Sequence, residues 1–313
     1  MLIKKIAAAG ALALALMAGQ AQAADPASCK TVRFSDVGWT DIQATTGIAT
    51  NILRALGYEP KVEVLAVPVT YTSLKNKDID VFLGNWMPSM TADVDPYLKD
   101  KSVEQLTTNL EGAGYGLVVP KYVADAGVKD LADLSKHKDK FDGKIYGIEP
   151  GNDGNRIVQG FIDDPKTGLK GWELVESSEQ GMLSQAQRAM KNKDWIVFLG
   201  WTPHPVMGEM ELQYLSGMGD SGFGAATVLT NVRAGYAQEC PNVGKLLQNL
   251  KFDLALEGEI MDGILSQGKD AEAAAGEWLK AHPEAIDKWL AGVTTVDGKD
   301  GAAAVKKSLG IGA

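Results

Sequence analysis

The chain has 313 residues, 45% of them hydrophobic, and carries 31 Lys and Arg against 40 Asp and Glu, a formal charge of −9. That length fills about two domains of roughly 150 residues, each with a sizeable core, and the acidic balance argues against nucleic acid as a partner. The three histidines, His137, His204 and His282, stand in no metal-ligand pair spacing, so neither a metal nor another cofactor is expected.

At the start, Lys4 and Lys5 precede an apolar run from Ile6 to Met17 and then Ala21-Gln22-Ala23, the charged, apolar, small-residue order of an export signal. Removal of residues 1–23 takes away two lysines and no acids, leaving a mature chain of charge −11 that begins at Ala24. The run is shorter than the roughly 20 apolar residues of a membrane anchor, and a free periplasmic monomer is expected. In an oxidising compartment a lone pair of cysteines ordinarily closes. A Cys29–Cys240 disulfide is therefore expected, joining two distant segments of one lobe.

Thr31–Phe34 reads as a strand, and Thr40 with Gln43 three positions on reads as a capping box before Ile42, Thr45, Ile48, Ile52 and Leu56 at helical spacing, stopped by Gly57. Lys61–Ala66, Asp80–Leu83, Gly116–Val119, Lys144–Ile148, Glu173–Glu176 and Ile196–Leu199 read as further strands with helical patterns between most of them. A strand follows near Ala225–Thr230, then helices from about Val243 to Ala291. This alternation predicts α/β lobes with largely parallel sheets. An internal repeat supports two similar lobes: Lys75-Asn-Lys-Asp-Ile-Asp-Val-Phe-Leu-Gly84 recurs as Lys191-Asn-Lys-Asp-Trp-Ile-Val-Phe-Leu-Gly200. The first copy runs on as Asn85-Trp86-Met87-Pro88 and the second as Trp201-Thr202-Pro203, one residue shorter.

Ligands of open α/β sheets collect beyond the carboxyl ends of the strands, and those ends are aromatic here. Gly38-Trp39-Thr40-Asp41 follows the first strand, Trp86 and Trp201 follow the repeated strands, Gly112-Ala-Gly-Tyr115-Gly116 enters another, and Gly151-Asn152-Asp153-Gly154 follows Lys144–Ile148. Several ring faces suit a cation that donates no hydrogen bonds, each contact contributing about 0.5–2 kcal/mol when desolvated. A trimethylammonium group is such a cation. Asp41 can accept a hydrogen bond from a ligand hydroxyl, which favours choline, whereas a betaine carboxylate beside Asp41 would be repelled. Asp41 can equally complement a helix dipole, Asn152 can serve either ligand or cap a helix, and each ring can be core. Trp172, Trp195, Trp278 and Trp289 fall in amphipathic patterns and read as packing.

At these residues the chain resembles the substrate-binding proteins of ABC importers for choline and betaines. The resemblance covers essentially the whole mature chain and is carried by Val37–Asp41, Phe82–Pro88, Gly114–Gly116, Gly151–Gly154 and Phe198–His204. It implies a two-lobed periplasmic binding protein fold of type II, hinged over a ligand cleft, with residues 24–111 and 214–313 in one lobe and 112–213 in the other. It implies a box of Trp39, Trp86, Tyr115 and Trp201 with Asp41 and Asn152 as polar partners, delivery to a membrane permease, and no catalysis. Relatives for betaines use a histidine after the last tryptophan, so His204 keeps glycine betaine open. The rival class, a secreted enzyme, lacks a G-x-S-x-G elbow and a free thiol, and the Gly112–Gly116 run precedes a strand instead of opening a helix.

Overall fold

The computed structural model describes residues 25–312, so the export signal expected over residues 1–23 lies outside them. The strands are β1 (Thr31–Asp36), β2 (Glu59–Val64), β3 (Val81–Met87), β4 (Val103–Pro120), β5 (Lys144–Tyr146), β6 (Glu173–Val175), β7 (Phe198–Thr202), β8 (Leu212–Tyr214) and β9 (Gly224–Arg233). They form one sheet in the order β2-β1-β3-β9-β4-β7-β5-β6, with β8 beside β4. The helices used below are α1 (Thr40–Ala55), α2 (Val67–Asn76), α3 (Thr91–Lys99), α4 (Asp153–Asp163), α5 (Glu179–Asn192), α6 (Leu254–Leu265) and α7 (Ala271–Ala281). No helix among the described residues is long and apolar enough to cross a membrane.

The two ends of the sheet share a plan. In β2-β1-β3 the pairs are parallel, and so are those in β6-β5-β7; in each unit the crossover connections are helices, α1 and α2 in the first, α4 and α5 in the second. Between them β4 and β9 pair antiparallel with each other and with the flanking strands β7 and β3. The strand expected at Gly116–Val119 is thus the last part of an 18-residue strand. Its earlier half is polar and lacks the apolar run that marks a buried strand. The strand expected at Lys61–Ala66 sits two residues earlier because Pro68, in the first turn of α2, starts a helix there.

The sequence repeat is a structural repeat. Helix α2 ends at Lys77 and α5 at Lys193, both left-handed with φ 65° and 62°, and Asp78 and Asp194 each donate their N–H back into the last turn. The following strands end in the two tryptophans. The extra residue of the first copy is taken up between Phe82 and Asn85, where the β3–β9 register shifts by one. That bulge keeps Trp86 in phase with Trp201, and buried Asn85 accepts the Tyr71 hydroxyl at 2.9 Å.

Helix α1 is buried on most of its surface and packs against α6 and α7, so small and apolar residues occupy nearly every face. It ends where Gly57 takes φ +93°, a conformation glycine adopts without the Cβ clash. Asp80 enters β3 as a buried ion-pair centre: the Arg33 N–H and Nε donate to it at 2.9 Å, Arg33 Nη2 at 2.8 Å and Arg233 Nε at 2.7 Å, tying β1, β3 and β9. Cys29 and Cys240 are joined as a disulfide. Beside it, the Asp25 carboxylate accepts the N–H groups of Asn242 and Val243 at 2.8 and 3.1 Å, capping the helix Pro241–Asn249 from the far end of the chain.

Candidate functional site

Five of the six predicted ligand residues converge. Trp39 is the N-cap of α1 and Asp41 lies in its first turn; Trp86 is near the end of β3, Tyr115 on β4 and Trp201 on β7. With Ile148, just past β5, they line one small cavity. All five are buried, none more than 5% exposed. The β4–β7 register sets Tyr115 opposite Trp201, their rings 6.3 Å apart and nearly perpendicular, while Trp86 lies 5.9 Å from Tyr115 on the other side. Phe223 packs edge-on to Tyr115 at 5.0 Å and holds the ring from behind. Gly154 admits the Tyr115 hydroxyl: a Cβ there would stand 1.9 Å from it.

The sixth, Asn152, is not among the lining residues. It is the N-cap of α4, its Oδ1 accepting the Asn155 N–H at 2.8 Å while its Nδ2 donates to the Glu149 carbonyl. The capping box expected at Thr40 and Gln43 does not form. Trp39 takes the N-cap position, so Thr40 is already inside the helix, and its N–H and hydroxyl donate to Glu179 at 2.8 and 2.5 Å. His204 is buried and also faces Glu179, with Nε2 3.2 Å from Oε1. Its Nδ1 accepts the Val206 N–H at 3.3 Å, which places the ring proton on Nε2. His204 therefore has no nitrogen left for a ligand.

Asp41 lines the cavity, and Glu149, Glu179, Asp36 and Asp153 lie near it. Asp41 accepts the Trp86 indole N–H at 3.1 Å through Oδ2, and its Oδ1 is buried without a partner. Burial first, then the charge of Glu179, push its pKa up to about 8, against the pull of the Trp86 hydrogen bond. Burial likewise raises Glu149, which accepts the Trp39 indole N–H at 2.5 Å, to about 7, and Asp36 and Asp153 to about 6. The Tyr115 hydroxyl and Trp201 Nε1 are also buried without partners. The arrangement offers ring faces, one free carboxyl oxygen and an acid that a bound cation would help to ionise, and it suits a small cation with a hydroxyl.

Residues 30–281 match the model of the OpuAC family, the substrate-binding domain of ABC-type glycine betaine transport systems. The chain belongs to this family. A solved member described as an ABC-transporter choline-binding protein in complex with choline is 62% identical, superposes with a TM-score of 0.89, and the alignment covers 91% of this chain and all of the other. The same comparison with a choline-binding protein in an unliganded, semi-closed conformation gives a TM-score of 0.83 at 62% identity and the same coverage. Lactococcal OpuAC, closed on glycine betaine, is 29% identical with a TM-score of 0.76 over 83% of this chain and 98% of its own. The fold is accordingly the two-lobed α/β type of OpuAC proteins, as the sequence predicts.

The sequence reading missed Glu149 and Glu179. Both lie beyond carboxyl ends of strands, Glu149 after β5 and Glu179 after β6, so the strand-end rule that found the tryptophans would have found them had acids been sought beside aromatics.

Proposed function

We propose that this OpuAC-family chain is exported, loses residues 1–23, and in the periplasm captures choline as a monomer for delivery to the membrane permease of an ABC importer, without turning it over. The observation that carries the reading is Asp41: its unpartnered Oδ1 belongs to the one carboxylate, among the described residues, that lines a cavity otherwise walled by four aromatic rings and Ile148. The rings take the trimethylammonium group, which has no N–H left to satisfy, and Asp41 accepts the hydroxyl in a charge-assisted hydrogen bond. Asn152 supports the site by fixing the turn that carries Glu149. The 62%-identical relative solved with choline agrees with this reading.

Glycine betaine fits less well. Its carboxylate would meet Asp41, no Lys or Arg among the described residues lines the cavity, and His204 is committed to Glu179 and Val206. We assign residues 24–111 and 214–313 to one lobe and 112–213 to the other, with β4 running through the boundary. The test is intrinsic tryptophan fluorescence of ligand-free mature protein titrated in parallel with choline and glycine betaine. Tighter saturation by choline is expected; a preference for glycine betaine would remove Asp41 from selection, and no response to either would return the rings to core packing.

A further inference from the structure

The two βαβαβ units meet through polar contacts as well as rings. Thr40, at the start of α1, stands on the β1 unit, whereas Glu179, at the start of α5, and His204, after β7, stand on the β5 unit. Glu179 is buried and gathers three donors: the Thr40 N–H, the Thr40 hydroxyl and His204 Nε2. Two of those three cross between the units. Helix α1 makes no cap of its own, because its N-cap is Trp39, which has no side-chain oxygen. Its first-turn N–H groups would otherwise turn to water, and a carboxylate from 139 positions downstream takes the Thr40 N–H instead.

We propose that Glu179 is a closure latch, a positioning residue that caps α1 only when the two units come together, and so couples closure to the placement of Trp39 and Asp41 on either side of Thr40. The inference rests on the cation-binding reading of the cavity for what closes over the site. Separated units would leave Glu179 with His204 alone and α1 uncapped, so the latch favours the closed form by contacts that only this form makes. His204 is the fixed half of the device: its Nε2–H orients the carboxylate from within the same unit, and the Val206 N–H holds the ring in that tautomer. This gives the histidine a role other than ligand contact. Glu149 and the Trp39 indole, with Arg156 reaching Asp93 and the Ser89 carbonyl, bridge the same gap, but these are side-chain contacts or lie off α1, and of them all Glu179 is the one that takes a backbone N–H of α1.

A latch made on closure slows escape of ligand and leaves encounter nearly untouched. Stopped-flow tryptophan fluorescence with choline should show Glu179→Ala releasing ligand about tenfold faster or more, with the association rate constant within about twofold. Glu179→Gln, which keeps one acceptor oxygen for α1, should fall between wild type and Ala. Thr40→Val, which removes only the hydroxyl donor, should speed release about threefold, and it serves where Glu179→Ala does not fold. Release rates unchanged in the variants that fold, or a loss carried by association, overturn the latch. Small-angle scattering of the ligand-free proteins separates this from the ligand assignment: should wild type ignore choline, the choline reading falls, and the latch then stands only if Glu179→Ala is larger in radius of gyration than wild type.

Discussion

Asp80 and Asp41 are equally buried, at 2% and 1% exposure, yet they live in opposite surroundings. Asp80 is met by two guanidinium groups, and although burial pushes its pKa up, the hydrogen bonds from Arg33 and Arg233 bring it below the ordinary aspartate value. Asp41 has one indole donor, an unpartnered oxygen and an acidic neighbour, and its pKa rises to about 8. A carboxylate whose countercharge is encoded in the chain holds strands together; one left without a countercharge is held ready for a cation that arrives later. Buried charge alone separates nothing, and the partner list decides between scaffold and site.

The largest expected effect falls on the scaffold side. Asp80→Asn removes the charge that Arg33 and Arg233 share, leaving Arg233 only its ion pair with exposed Glu239, and is expected to cost about 2–4 kcal/mol of stability, read by urea unfolding, while choline affinity of the folded protein stays within about twofold; an equal loss of affinity would erase the distinction. Asp41→Asn is the mirror case: affinity for choline should fall by roughly ten- to a hundredfold with loss of discrimination against glycine betaine, as expected for one hydrogen bond to a charged group, while the unfolding midpoint holds or rises because a lone buried carboxylate is gone. Trp201→Ala removes one ring face and its contact area, and calorimetry should record about a tenfold loss in affinity.

The smallest effect is the pH dependence, and its sign differs between the two aspartates. Asp80, lowered on folding, contributes stability that is present at neutral pH and is lost as pH falls through its folded value in the acid range. Asp41, raised from 3.8 to about 8, contributes stability that is full below about pH 4 and lost as pH rises through about 8, with Glu149, Asp153 and Asp36 adding in the same sense at lower pH. The ligand-free protein should therefore melt at lower temperature at pH 8.5 than at pH 5, and saturating choline should raise the midpoint more at the higher pH. Titrations in buffers of different ionisation enthalpy should register proton release on binding; a proton count of zero at pH 7 would mean that Asp41 is ionised before choline arrives.

Much of this was legible from residue order. The repeat predicts twin units, and its tryptophans mark strand ends, because a buried strand followed by an aromatic loop leaves a periodic trace that no tertiary information is needed to see. Trp86 and Trp201 are read that way, while Trp39, Asp41 and Tyr115 are read from the ends of other strands, and the structure brings the five side chains to one cavity. What stayed hidden depends on contacts between distant segments. Thr40 looks like a helix cap, but the oxygen that meets the helix belongs to Glu179, and nothing local to Thr40 announces it. The first part of β4 is polar because it stays half-exposed, and it is a strand because distant β9 pairs with its main chain. Which of two plausible roles a polar residue plays is settled by its neighbours in space.

The Cys29–Cys240 bond spans 211 positions, so most of the described chain lies inside one covalent ring. A single cut anywhere between the two cysteines opens the ring without dividing the molecule. A protease that nicks a loop between the units therefore leaves a product that migrates as one species until reductant is added, and only then does the position of the cut become visible as two bands.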